Sequence, residues 1–209
     1  MNNSQTTKQH IHERLAWLSI PAAMTTLRLA IAPTLVLFTH LNLVPRFIYV
    51  LLIVVAFLSD WLDGVVARRL GIATAWLRRY DIVADVTFYV AVLWAVWRLE
   101  TETVILFRSQ FVLLLALEVS CQIIHLVRFH CLIATHAYLC KFWAIFLAAT
   151  AISLLGFGQA DPLLQITFVL GYIAYADVLL ILLFARRPPI DVISSYHVWL
   201  VDRWGREKI

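Results

Sequence analysis

Charge is scarce in this chain: only 14% of its 209 residues are Asp, Glu, Lys or Arg, against about 25% in an ordinary soluble domain. With 62% hydrophobic residues and a mean hydropathy of +0.84, too little polar surface remains to cover a water-soluble globule of this size. Gly/Ser linkers, low-complexity runs and internal repeats are missing, so nothing divides the chain into separate domains. The alternation of apolar and polar residues that marks a membrane β-barrel is also missing. Cysteine is limited to Cys121, Cys131 and Cys140. They lie in or beside apolar stretches without metal-ligand spacing, which argues against a zinc site or a disulfide framework and for free thiols. Residues 1–12 lack the basic, apolar, small-residue order of a cleaved signal peptide, so the first apolar helix is expected to be kept.

Long apolar runs are what the chain does have. A bilayer core about 30 Å thick needs roughly 20 apolar residues per spanning helix, and such stretches fall near 19–42, 47–69, 80–98, 103–127, 139–158 and 163–185. Backbone polar groups in lipid must be satisfied within the segment. The expectation is an all-α, polytopic membrane protein, a bundle of six transmembrane helices with both termini cytoplasmic. One membrane domain is expected over 19–187. Before it lies an N-terminal segment, 1–18, whose stretch from His10 to Leu18 suits an interfacial helix. After it comes a basic and aromatic tail, 188–209, begun by two prolines that stop the sixth helix. The tail is open to lying on headgroups or to being disordered.

Orientation follows from Lys and Arg. Of the 17 basic residues, only Arg46, Arg98 and Arg108 fall on the side away from the termini, leaving 14 on the terminal side. Positive charge accumulates on the cytoplasmic side of membrane proteins. The net charge of +4 then suits anionic lipid headgroups, and no nucleic-acid partner is expected. Tryptophans such as Trp61, Trp94 and Trp97 lie near helix ends, as interfacial anchors do.

Ionisable side chains inside membrane helices are costly and tend to mark function. Asp60 and Asp63 close an apolar run, and on a helix they share one face with Gly64 and Ala67. Asp81 and Asp85 open the next apolar stretch, four apart and again on one face. Four carboxylates at one depth repel unless protonated or neutralised, and hard oxygen donors favour Mg²⁺, Mn²⁺ or Ca²⁺. Mg²⁺ characteristically completes its shell with substrate phosphates, and Arg68, Arg69, Arg78 and Arg79 add positive charge at the same border. Two blander readings stand beside this one: the aspartates pair only with those arginines, or they form a cation pathway in a transporter. Isolated Glu118, Lys141 and Asp177 are open either to lining an acceptor cavity or to pairing across helices. His125, His130 and His136 read as interfacial histidines.

The segment Asp60-Trp61-Leu62-Asp63-Gly64-Val65-Val66-Ala67-Arg68, continued to Asp81 and Asp85, closely resembles the CDP-alcohol phosphotransferase signature D-x-x-D-G-x-x-A-R-x8-G-x3-D-x3-D. Seven of the eight fixed positions match, the exception being Leu77 in place of the second glycine. The stretch from Pro21 to Arg28, followed by Pro33, is similar to the P-N-x-L-T-x-x-R opening of the phosphatidylglycerophosphate synthase and cardiolipin synthase branch, with Ala22 in place of its Asn. The resemblance implies a six-helix transferase holding two Mg²⁺ or Mn²⁺ ions through Asp60, Asp63, Asp81 and Asp85 against the diphosphate of CDP-diacylglycerol. It implies Asp85 as the general base that activates an alcohol acceptor, glycerol 3-phosphate being one candidate. Phosphatidylglycerol, inositol phosphate and a catalytically impaired binding protein stay open.

Residue by residue, the resemblance gives Gly64 and Ala67 as close-approach positions for the nucleotide. It gives Arg68, Thr74 and Thr25 as CDP contacts and Arg28 as a phosphate contact. From the residues alone, Thr25 and Arg28 read equally as helix-start and snorkelling residues. A leucine at position 77 either widens the turn, shifts nucleotide preference or impairs turnover. The resemblance also implies a bacterial-type plasma membrane, with the site facing the cytoplasm, and admits a homodimer.

Overall fold

The computed structural model describes the backbone of residues 3–42, 44–70, 75–129 and 138–184. Within these it describes every side chain except those of residues 3–19, 67–70, 75, 76, 78, 129, 138 and 184. The helices are α1 Asn3–Leu41, α2 Arg46–Leu70, α3 Ala75–Leu99, α4 Thr101–Leu106, α5 Arg108–Phe129, α6 Tyr138–Ile152 and α7 Leu163–Phe184. A π-helical turn, Ser153–Phe157, prolongs α6. No strand occurs among the described residues.

Six segments are long and apolar enough to cross a membrane: Ile20–Leu41, Arg46–Val66, Arg79–Leu99, Arg108–Arg128, Leu139–Phe157 and Leu163–Leu183. The all-α, multi-pass architecture expected from composition is the one observed. The polar N-terminal stretch runs into the first span as one helix. The fourth span begins at Arg108 and not near 103, because Thr101–Leu106 forms the separate short helix α4 and a turn at Phe107 divides it from α5. The prolines at 188 and 189, the tail to 209, Cys131, His130 and His136 lie outside the described residues.

The chain divides into two compact units, Met1–Glu100 with Leu155–Phe157, and Thr101–Leu154 with the residues from Gly158 onward. In the first unit α1 packs along both α2 and α3, while any direct packing of α2 on α3 is slight. The reason lies in the register of α1, where Pro21, Thr25, Arg28, Ala32, Leu35 and Thr39 are all buried. Their steps of four and three recur every seven residues, the period at which a helix keeps one seam facing its partners. On α3, Ala84, Phe88, Ala91 and Ala95 repeat the same steps, and on α2 Tyr49, Ile53 and Ala56 do so. Lipid supplies no hydrophobic drive for helices to associate, so close packing at small residues and buried polar contacts must hold them. At one end of this unit Arg46 Nη1 meets Glu100 Oε1 at 2.7 Å, joining the start of α2 to the residue after α3. The αL residue Asn42, with φ 51° and its N–H on the Phe38 carbonyl at 3.1 Å, ends α1, a conformation that asparagine tolerates.

In the second unit α7 is the shared helix, packed along α5 and α6. Trp143 Nε1 donates to the Thr167 carbonyl at 2.9 Å, and the buried hydroxyls of Thr150 and Thr167 lie 2.6 Å apart. Arg128 of α5 donates to the carbonyls of Leu182 and Leu183, two of the unpaired carbonyls of the last turn of α7. Cys121 is a free thiol in a cluster with Val178 and Leu182, and the half-buried Cys140 is free as well. His125, in the last turns of α5, is buried on the packed face of that helix. Gly171 lets the three helices close, because a Cβ there would stand 2.8 Å from Leu114 Cδ2 and 2.9 Å from Trp143 Nε1.

Gly171→Val is therefore expected to lower the thermal midpoint of the detergent-solubilised protein. Overpacking of this kind costs about 1–3 kcal/mol. An unchanged midpoint would show that Trp143 and Leu114 yield freely.

Candidate active site

The two aspartate pairs lie on different helices, and the side chain that joins them comes from a third. Asp60 and Asp63 stand three apart near the end of α2, and Asp81 and Asp85 stand four apart near the start of α3, so each pair shares a face. Between them projects Arg28 of α1. Its Nη2 donates to Asp63 Oδ2 at 2.6 Å. Its Nη1 lies 2.9 Å from Asp60 Oδ1, 3.2 Å from Asp81 Oδ1, and also in contact with Asp85 Oδ1. The Thr25 hydroxyl, one turn earlier on the same seam, is 3.0 Å from the Pro21 carbonyl and 3.4 Å from Asp63 Oδ2. Beside the site, the hydroxyls of Thr26 and Tyr80 meet at 2.8 Å and tie α1 to α3.

Exposure gives the site a back and a front. The side chains of Arg28 and Asp63 are only 2% and 7% accessible. Those of Asp60, Asp81 and Asp85 are 46%, 32% and 33% accessible. A guanidinium and one carboxylate thus close the inner wall, and three carboxylates present oxygens outward. Carboxylate oxygens of Asp60, Asp63 and Asp81 all lie within 4.8 Å of one another.

Four carboxylates meet the one guanidinium of Arg28. The hydrogen-bond capacity of that guanidinium is exceeded, because Nη1 carries two hydrogens and faces three carboxylates. Meanwhile the buried Nε–H of Arg28 has no acceptor, a loss of about 1–3 kcal/mol for a buried donor. An all-oxygen donor set with an open side fits a hard divalent cation. Asp60, Asp63 and Asp81 are the residues placed to hold one, and Asp85 adjoins them.

A family model described as CDP-alcohol phosphatidyltransferase matches residues 18–185. The chain belongs to the CDP-alcohol phosphatidyltransferase family. No curated protein and no solved structure matches it. Membership makes it an enzyme of the kind that transfers a phosphatidyl group from a CDP-alcohol, in a family that is generally metal-dependent.

Among the residues singled out from sequence, the structure brings together Asp60, Asp63, Asp81, Asp85, Thr25 and Arg28. Arg28 does not snorkel toward the surface but turns inward onto the carboxylates. Gly64 follows Asp63 on α2, as do Ala67 and Arg68, whose side chains lie outside the described set; Thr74 lies outside the described residues altogether. Each of the four aspartates pairs with Arg28; Arg79 is exposed, and the side chains of Arg68, Arg69 and Arg78 lie outside the described set. Leu77, the departure from the family signature, is buried at 6% exposure. Its side chain is covered by protein. In the second unit Glu118 accepts from Gln122 Nε2 at 3.0 Å, Asp177 is buried, and Lys141 is exposed.

The sequence signal for Arg28 as the hub was its position on the α1 seam, in step with Thr25 and Ala32. Hydropathy alone does not show it. If the cluster takes a divalent ion, Mn²⁺ added to the purified protein should raise its thermal midpoint, and EDTA should remove the gain. Binding at a hundredfold excess over Kd is worth about 2.7 kcal/mol. Asp63→Asn should shrink the shift, and an equal shift in that variant would place the ion elsewhere.

Proposed function

We propose that this protein moves the phosphatidyl group of CDP-diacylglycerol onto an alcohol acceptor and releases CMP, with Mg²⁺ or Mn²⁺ bound at the aspartate cluster. The observation that carries this is the gathering of four carboxylates from two helices, three of them open on one side, within a family that uses CDP-alcohols. Divalent ions bound there, two in this reading, supply neutralising charge for the diphosphate and for the departing oxygen.

Asp85, a third exposed, is the general base. Its carboxylate takes the proton of the acceptor hydroxyl, and the freed oxygen attacks the phosphorus that bears the diacylglyceryl group. A new P–O bond forms as the bond from that phosphorus to the bridging oxygen breaks. The electron pair leaves with CMP, and the proton stays on Asp85 until water removes it. A positioned carboxylate contributes typically 10²–10⁴-fold to such a step. Asp60, Asp63 and Asp81 hold the cations and orient the diphosphate. Gly64 and Ala67 give the nucleotide close approach to α2, and Arg68 and Thr74 contact CDP. Thr25 supports Asp63 and Arg28 reaches a phosphate oxygen.

The phosphatidylglycerophosphate synthase and cardiolipin synthase branch is the favoured one, on the likeness of the stretch from Pro21 to Arg28. Glycerol 3-phosphate is the favoured acceptor; phosphatidylglycerol and inositol phosphate belong to the same chemistry. The bias of basic residues supports cytoplasmic termini and a site at the cytoplasmic face of a bacterial-type plasma membrane.

With Mn²⁺ and CDP-diacylglycerol, the purified protein should release CMP when one of a panel of alcohols is supplied, and the productive alcohol names the acceptor. Asp85→Asn should lower kcat by about 10²-fold or more, with folding checked by its thermal midpoint. Undiminished CMP release in that variant removes Asp85 as the base.

A further inference from the structure

Arg28 occupies the one position in the described site that faces Asp60, Asp81 and Asp85 together, and it reaches Asp63 from the same guanidinium. A divalent ion bound by these oxygens needs the same lone pairs. Two cations at hydrogen-bond range also repel each other, strongly where the surroundings are of low dielectric. Arg28 and the ion therefore compete, and the seat of Arg28 is an imperfect one. Nη1 is oversubscribed, and Nε–H is buried without an acceptor. Arg28 enters from α1 at the closed back, and the exposed carboxylate edges leave the front open.

We propose that Arg28 is a resident counter-cation of the aspartate cage, holding the four carboxylates together when no divalent ion is bound and turning out of the cage when one binds. Loading then does two things at once. It replaces a single charge by a larger one at the carboxylates, and it frees a guanidinium, whose planar fork suits phosphate oxygens. The empty protein is kept from flying apart electrostatically, and the arginine becomes available to a diphosphate only once the cage is loaded. The proposal rests on the reading of the cage as a divalent-ion site and is independent of which alcohol is used.

The probe is Mn²⁺ alone, titrated into the full chain in detergent, with the free ion followed by electron paramagnetic resonance. Arg28→Gln should bind Mn²⁺ about tenfold tighter or more, since a competing charge has gone. The variant should melt below the parent in EDTA, and the gap should narrow at saturating Mn²⁺. Arg28→Lys, which keeps the charge, should stay nearer the parent in affinity. Mn²⁺ affinity in Arg28→Gln equal to or weaker than the parent's overturns the proposal. A second measurement needs no variant: phenylglyoxal should label Arg28 in Mn²⁺ and spare it in EDTA, read by mass spectrometry of the peptide that carries it. Equal labelling in the two conditions also overturns it. Absence of CMP release with every alcohol, with both Mn²⁺ results as expected, would count against the transferase reading alone.

Discussion

A buried guanidinium set against four carboxylates organises the first unit of this protein. Arg28 and Asp63 are both nearly inaccessible, and removing one partner of such a buried pair costs about 3–5 kcal/mol because the other is stranded. The interaction explains why α1 is the shared helix, since the carboxylates of α2 and α3 repel one another and a cation on α1 gives both a common partner. Direct packing of α2 on α3 is correspondingly slight. Thr25 and the contact between Thr26 and Tyr80 reinforce the same junction with neutral hydrogen bonds. Polar glue within an apolar seam is an expected way to hold helices in lipid, where burial of apolar surface gains little.

Position along the helices separates this chemistry from the scaffold. The Arg46 and Glu100 pair ties α2 to the end of α3, about 25 Å along α2 from Asp63 at 1.5 Å per residue. Between the two ends the seams are made of small and apolar residues, among them Ala32, Ala56, Ala91 and Ala95. The second unit follows the same plan of helices: α7 is shared by α5 and α6, and Gly171, Thr150 and Thr167 allow close contact. Both units thus use one central helix with two flanking partners. Only the first concentrates acidic groups at one end.

The site's asymmetry bears directly on what the family's chemistry requires. A phosphoryl-type transfer needs charge neutralisation more than covalent help from the protein. An enclosed cation with one enclosed carboxylate closes the back, and three more accessible carboxylates give an edge that ligands can reach. Leu77 belongs to the packed part of that arrangement and not to the accessible part. The chain's one departure from the signature therefore falls on a side chain covered by protein.

Membrane class, helix number and the approximate span limits were legible in the sequence, because length and apolarity alone decide whether a segment can cross a bilayer. The four aspartates were legible too, since charge inside an apolar run is costly enough to stand out and their spacing places each pair on one face. Less visible was the split at α4, where a turn at Phe107, inside an apolar stretch, separates a short helix from the span. The burial of His125 was hidden as well, because depth in the membrane and facing direction are different properties.

What the sequence by itself determined is what depends on local rules: periodicity, hydropathy and the spacing of charges along one helix. What only the tertiary structure decided is which charge meets which. Arg68, Arg69, Arg78 and Arg79 are the basic residues nearest the aspartates in the chain, yet Arg28, more than thirty residues away, pairs with all four. Coulombic attraction acts through space, and the packing of α1 along two helices, set by a seven-residue seam, carried that one cation to the carboxylates.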